Sequence, residues 1–372
     1  MISAGSEVTS HAATATATAQ NEISYAQFTP DPFVPRRFLS NSHLQTILGN
    51  FLPRENHLPA PVRELVEVAP AAADQPASQV LCLCHWQPQE ARAERPTAIL
   101  VHGLEGSANS QYVVGNANKF WSAGANVIRM NMRNCGGREY EMARHSPTLY
   151  HSGLSGDVDA VMRFFLLREQ LQSIALVGYS MGGNLVLKLA GELGANAPRE
   201  LRSVVGVSPA MDLDASVAAL HRPINRFYER RFVRALLKRY RNKVGCFPHA
   251  YDPNRAAGVT SVRGFDDRIT APYSGFASAQ DYYYRASAAR VLDRIAVPTL
   301  VLHALDDPFI IFTPKTLAGL HANPHITLLE TAHGGHCAFL AAPNSTDGND
   351  GRWAEATLLR FVLAHSRQAG FH

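Results

Sequence analysis

The run Gly178-Tyr179-Ser180-Met181-Gly182 constrains the fold of this chain more than any other segment. It follows the apolar stretch Ser173-Ile174-Ala175-Leu176-Val177 and precedes Gly183-Asn184-Leu185-Val186-Leu187-Lys188-Leu189-Ala190, whose spacing suits a helix. A strand that turns into a helix over one serine forces that serine into a strained backbone region, and only residues without a Cβ fit beside it. This context makes Gly-x-Ser-x-Gly a nucleophile elbow, with the hydroxyl thrust out of the fold. The next helix aims its unpaired N–H groups and positive dipole end at the place where an oxyanion would form.

From Gln79 onward, apolar runs alternate with helical patterns at the rhythm of βαβ units. Strands are expected at 98–102 and 126–131, in the stretch before the elbow, and at 203–208, with helices at 112–122, at 154–168 and after the elbow. The fold class is therefore α/β, with a mostly parallel, doubly wound sheet. From about 212 to 292 no strand-like run occurs, and the Arg- and Tyr-rich sequence there reads as a helical cap inserted over the strand ends. Strands resume at 298–303 and 326–330, and a helix near 353–365 follows. One domain, 26–372, is expected to carry this cap. Residues 1–25, dominated at first by Ala, Thr and Ser, lack the basic and apolar regions of a secretory signal and read as a disordered tail.

With 372 residues, 46% hydrophobic and 18% charged, the chain can bury a sizeable core. Its net charge of +4 is mild, and basic residues cluster only at Arg226, Arg230, Arg231, Arg234, Lys238, Arg239, Arg241 and Lys243. A solvated helix face is the default reading of that cluster; contact with anionic lipid or substrate is the alternative, and nucleic-acid binding is not expected. The cysteines, Cys82, Cys84, Cys135, Cys246 and Cys337, are odd in number and lack C-x-x-C spacing. That argues against a disulfide framework and a zinc site and for a reducing, cytoplasmic compartment. No run approaches the ~18 apolar residues of a membrane span, so membrane contact would be peripheral. Nothing in the sequence sets an oligomeric state.

A serine hydroxyl is a weak nucleophile: a base must take its proton and a carboxylate must hold that base in the right tautomer. Asp306-Asp307 and His333-Gly334-Gly335-His336 each follow an expected strand, giving the order Ser, Asp, His. Counting from Ala304 favours Asp307 over Asp306, and the two glycines before His336 favour it over His333. The expected oxyanion donors are the amides of Met181 and of Leu104, the latter in His102-Gly103-Leu104-Glu105-Gly106. Asp306, Asp307, His333 and His336 with His303 could ligate a metal by residue type. The elbow would then have no purpose, so neither metal nor cofactor is expected.

Further motifs extend through the chain: Arg37-Phe38-Leu39-Ser40-Asn41-Ser42-His43-Leu44-Gln45-Thr46, His102–Ser107, Asn131–Gly137, Tyr150-His151-Ser152-Gly153, Gly178–Asn184, Thr270–Phe276 with Asp281-Tyr282-Tyr283, and Asp306-Asp307-Pro308-Phe309. Together they resemble the YheT-like branch of the α/β-hydrolases, a group of esterases and lipases that includes eukaryotic ABHD lipases. The resemblance implies a triad of Ser180, one of the paired aspartates (Asp307 preferred) and His336, and carboxylic-ester hydrolysis. Asn134-Cys135-Gly136 departs from the pattern, as does Cys337 after His336, and the resemblance supplies no membrane location.

The expected activity is a cofactor-independent serine esterase acting on a small-molecule ester with a short to medium acyl chain. Phe227, Phe232, Phe247, Tyr273, Phe276 and Tyr282–Tyr284 either line its acyl pocket or pack as core. The rivals are an acyltransferase using the same triad and a non-catalytic binding protein. Haloalkane dehalogenation is disfavoured, because it needs a carboxylate nucleophile at the elbow.

Overall fold

Eight strands form one sheet in the order β1-β2-β4-β3-β5-β6-β7-β8 in the computed structural model, which describes residues 28–72, 75–137, 141–343 and 350–366. The segment 1–25 lies outside the described residues. The strands are β1 (Val62–Ala69), β2 (Ser78–His85), β3 (Thr97–Val101), β4 (Asn126–Met130), β5 (Ile174–Tyr179), β6 (Leu201–Val207), β7 (Thr299–Ala304) and β8 (Ile326–Thr331). Neighbours from β4 to β8 run parallel, while β2 is antiparallel to both β1 and β4. Every residue of β3, β4, β5 and β7 is buried. Strands covered on both faces need apolar side chains on both, hence the continuous apolar runs in the sequence.

Helices of eight or more residues are α1 (Ser42–Phe51), α2 (Gln111–Ser122), α3 (Ser155–Arg168), α4 (Met181–Leu193), α5 (Leu213–Leu220), α6 (Arg226–Cys246), α7 (Ala279–Ala286), α8 (Pro314–Ala322) and α9 (Trp353–Ser366). Helix α4 is buried from Met181 to Gly191, which explains its nearly unbroken apolar sequence. Between β6 and β7 the described chain is helical, with α5, α6, α7, shorter turns and a π-helical turn at Asp266–Thr270. The apolar side chains of this segment, among them Leu213, Leu236, Tyr240, Phe265 and Tyr283, form a cluster with Phe309 and Ile310 that is separate from the core under the sheet.

Helix α1 supports the site from outside the βαβ rhythm. Asn41 caps it, accepting the Leu44 N–H at 3.0 Å. Buried Gln45 ties it to the distant chain, donating to the Leu39 and Leu340 carbonyls and accepting the Leu340 N–H at 2.8 Å. The loops after β3, β5, β7 and β8 all leave the C-terminal edge of the parallel sheet, where open α/β folds gather their binding residues. They carry Leu104, Ser180, Asp307 and His336, respectively.

Candidate active site

Ser180 sits between β5 and α4 with φ 54° and ψ −116°, a conformation a non-glycine residue holds at a cost of about 1–3 kcal/mol. The surrounding backbone enforces it. The Ser180 N–H donates to the Val207 carbonyl at 2.9 Å, and its carbonyl accepts from the N–H groups of Asn184 and Ala210. A Cβ on Gly178 would run into the Gly182 backbone, and one on Gly182 would strike the Val101 and His102 carbonyls. The glycines of the motif are therefore fixed by close backbone approach.

The two acids after β7 serve different histidines. Asp307 Oδ2 lies 2.8 Å from His336 Nδ1, while its Oδ1 accepts from the N–H groups of Phe309 and Ile310. Asp306 instead faces His333 Nδ1 at 3.3 Å and accepts the Gly335 N–H at 2.9 Å, bracing the loop that presents His336. His303 is buried and stacks on Phe312, with ring centroids 4.0 Å apart. Among the described residues no group of three or more His, Cys, Asp or Glu side chains is disposed to hold a metal ion.

Helix α1 holds the same loop. Thr46 Oγ1 accepts the His336 N–H at 2.9 Å and donates to the Ser42 carbonyl. Gly335, at φ 58°, passes so close to Thr46 and Gln45 that a Cβ would fall within 2.9 Å of both. The Phe309 ring packs on the His336 ring, with centroids 4.3 Å apart.

Burial raises the pKa of Asp307, but His336 outweighs it through charge and hydrogen bonding, helped by His303 and the Ile310 amide, and holds the carboxyl below its ordinary value. For His336, burial opposes the charged ring most strongly. The Cys337 sulfur and the Asp307 carboxylate together overcome that and raise its proton affinity above that of an ordinary imidazole. With Nδ1–H directed to Asp307, Nε2 is left as the basic nitrogen. Ser180 and His336 line one cleft.

The loop after β3 is fixed donor by donor. Gly103 N–H donates to the Tyr112 hydroxyl at 2.9 Å, Glu105 N–H to the Tyr150 hydroxyl at 3.3 Å, and Gly106 N–H to the Gly103 carbonyl at 3.1 Å. Among the described residues, the amides of Leu104 and Met181 have no internal acceptor. His102 accepts the Met132 N–H at Nε2, so its Nδ1–H donates to the Gly103 carbonyl at 2.7 Å; burial lowers its pKa to about 4 and keeps the ring neutral. Glu105, at φ 56°, accepts the Tyr150 hydroxyl at 2.5 Å and the Arg239 guanidinium at 2.8 and 3.0 Å. A residue of α6 thus pins this loop across the sheet edge.

Two cavities meet at Ser180. One lies beneath the β6–β7 helices and is mostly apolar, with Leu104, Met181, Leu213, Leu236, Phe265 and Ile310 in its wall. The other is lined by Thr46, Phe51, Tyr112, Arg231, His336 and Cys337. The aromatic residues of the insertion divide accordingly. Tyr282 and Tyr283 line the apolar cavity, Phe227 the second cleft and Phe232 both, while Phe247, Tyr273 and Phe276 pack against the helical cluster and Tyr284 is exposed. Sequence reasoning does not single out Thr46, Tyr112, Glu105, Tyr150 or Arg239 as site residues. Thr46, Glu105 and Tyr150 lie inside quoted motifs, which was the available signal.

A family model of the alpha/beta hydrolase fold matches residues 96–343. YheT of Escherichia coli (strain K12), an esterase by name, is 33% identical over 83% of this chain and 87% of its own length. Phospholipase ABHD3 of Mus musculus is 28% identical over 66% of this chain, which spans 59% of that protein's length. Among solved structures, the 2,6-dihydroxy-pseudo-oxynicotine hydrolase is similar with a TM-score of 0.50 and 19% identity, over 82% of this chain and 68% of the other, a likeness of fold alone. The sheet, the elbow, the family match and the identity to YheT agree: the chain belongs to the esterase- and lipase-type α/β-hydrolase family.

Proposed function

We propose that this chain is a serine esterase that cleaves carboxylic esters of short to medium acyl chains through an acyl-enzyme on Ser180. The observation that carries the reading is the strained Ser180 at the mouth of an apolar cavity, sharing its cleft with a histidine held by a buried carboxylate. In this account His336 Nε2 takes the Ser180 proton as Oγ attacks the ester carbonyl. The amides of Leu104 and Met181 receive the oxyanion. His336 then protonates the leaving alcohol, and water releases the acyl group by the same steps.

The helices from about 212 to 292 act as a cap whose underside takes the acyl chain, and the second cleft takes the alcohol. Among the described residues no helix is long and apolar enough to cross a membrane. The cysteines carry no disulfide, which supports a reducing, cytoplasmic setting.

A series of p-nitrophenyl esters from acetate to palmitate tests the substrate class. kcat/KM is expected to peak at a short or medium chain and to fall for palmitate. Filling the cavity with Leu236→Trp should move the optimum to shorter chains, changing the ratio of medium to short esters by about tenfold or more. A profile indifferent to chain length, unmoved by Leu236→Trp, contradicts the assignment of the cavity.

Glu105 is a positioning residue in this scheme, acting on the reaction through the Leu104 amide. Glu105→Gln leaves Arg239 half-buried without a carboxylate and frees the loop. The expected result is a fall in kcat of up to about a hundredfold, the scale of an ångström-level misplacement, with KM little changed. An equal rise in KM at unchanged kcat would assign Glu105 to substrate binding instead.

A further inference from the structure

The solvent face of α6 is cationic, and among the described residues no carboxylate pairs with it. Arg226, Arg230, Arg231, Arg234, Lys238 and Arg241 are all exposed, and all but Arg231 follow one another at three- and four-residue spacing along one stripe. The acid of this helix, Glu229, is buried and faces His221 and the Val262 N–H. Arg239 is the one arginine of α6 with a carboxylate partner among the described residues, and it points inward to Glu105. A face kept merely soluble carries mixed signs. Six like charges repel one another, so this arrangement is stabilised when something anionic covers it.

Large apolar side chains stand among these cations. Ile224 is 71% exposed and Phe227 63%, and across the cleft Phe51 of α1 is 57% exposed beneath the Arg231 guanidinium. Ile47, Phe51, Phe227 and Arg231 also form the rim of the cleft that contains Ser180 and His336. Phosphates alone would satisfy the arginines, but exposed isoleucine has no use for a nucleic acid backbone. Acyl chains between anionic headgroups satisfy both kinds of residue at once.

We propose that this face docks onto an anionic lipid surface, with the α6 cations on headgroup phosphates and Ile224, Phe227, Ile47 and Phe51 in the acyl boundary. The cleft then opens onto the membrane from which an ester substrate enters. The docking surface is defined by charge and exposure; its link to catalysis rests on the esterase reading above.

Co-sedimentation of the full chain with vesicles tests it. Vesicles of one part phosphatidylglycerol to two parts phosphatidylcholine should bind the protein much more tightly than pure phosphatidylcholine, and added salt should weaken that binding. The triple variant Arg230→Ala/Arg234→Ala/Lys238→Ala should partition about a hundredfold less, since a basic residue near an anionic surface contributes about 1 kcal/mol. Ile224→Ser should weaken binding by about tenfold by removing an inserted side chain. Both variants should hydrolyse soluble p-nitrophenyl butyrate at the wild-type rate. Equal binding to the two kinds of vesicle, or wild-type binding by the triple variant, overturns the proposal. So does preference for a single-stranded DNA oligomer over vesicles with no effect of Ile224→Ser. Vesicle binding by a protein that cleaves no ester would uphold the docking and refute the esterase reading; ester cleavage without vesicle binding would do the reverse.

Discussion

Replacing Ser180 with alanine is expected to lower kcat for ester hydrolysis by a factor on the order of 10⁶, the scale seen when a triad serine is removed elsewhere. The loss is large because no step of an acyl-enzyme route proceeds without the nucleophile. Binding in the apolar cavity and the two oxyanion amides leaves a residual acceleration of about 10³–10⁴ over water. Stability should barely change. Alanine keeps the Cβ and the same strained backbone, and the bonds from Ser180 N–H to Val207 and from Asn184 and Ala210 to its carbonyl are main-chain bonds. Steady-state kinetics and a thermal melt on the same preparation check both parts; lost activity with a collapsed Tm would point to misfolding instead.

The second large effect separates neighbouring acids. Asp307→Asn should reduce kcat by about 10⁴, because the amide presents the wrong partner to His336 Nδ1 and the base loses its tautomer. Asp306→Asn, which disturbs only the bracing of His333 and Gly335, should cost about tenfold or less. The pH dependence gives an independent readout. His336 acts as a base only when neutral, so activity is lost as pH falls through its pKa. Since Asp307 and Cys337 raise that pKa against the opposing effect of burial, the acidic limb of kcat/KM should lie above the ordinary imidazole value of about 6.5. Without the Asp307 carboxylate the limb should move to lower pH. Equal losses from both aspartate variants, with no movement of the limb, would deny Asp307 its assigned role.

The sheet was legible because its parallel strands are buried on both faces and therefore write uninterrupted apolar runs. The strand expected at 98–102 forms at Thr97–Val101, and the one expected at 203–208 forms at Leu201–Val207. Edge strand β1 and helix α1 were not legible. The half-exposed β1 mixes Arg63, Glu64 and Glu67 with its apolar residues, and α1 is held largely by side-chain bonds from Gln45 and Thr46 to the chain near 336–340.

At the site, residue type and strand order picked out Ser180, the Asp306-Asp307 pair and His336. Counting from Ala304 favours Asp307 without excluding Asp306, because which of two adjacent aspartates meets His336 depends on the phase of a turn that spacing sets only loosely. The Glu105–Arg239 pair joins residues 134 positions apart, and neither signals the other in sequence. The aromatics of the insertion were legible as a group only: on one helix, Phe227 lines the second cleft alone while Phe232 lines both cavities.

The proposed reaction runs through a covalent acyl-enzyme at Ser180. Its most direct test is mass spectrometry of the protein quenched during turnover of a p-nitrophenyl ester, with peptide mapping of the adduct. An added acyl mass is expected on the peptide containing Ser180 in the wild type and none in Ser180→Ala. An acyl group on Cys337, whose sulfur lies 3.8 Å from His336 Nε2, or an adduct that persists in Ser180→Ala, would contradict it.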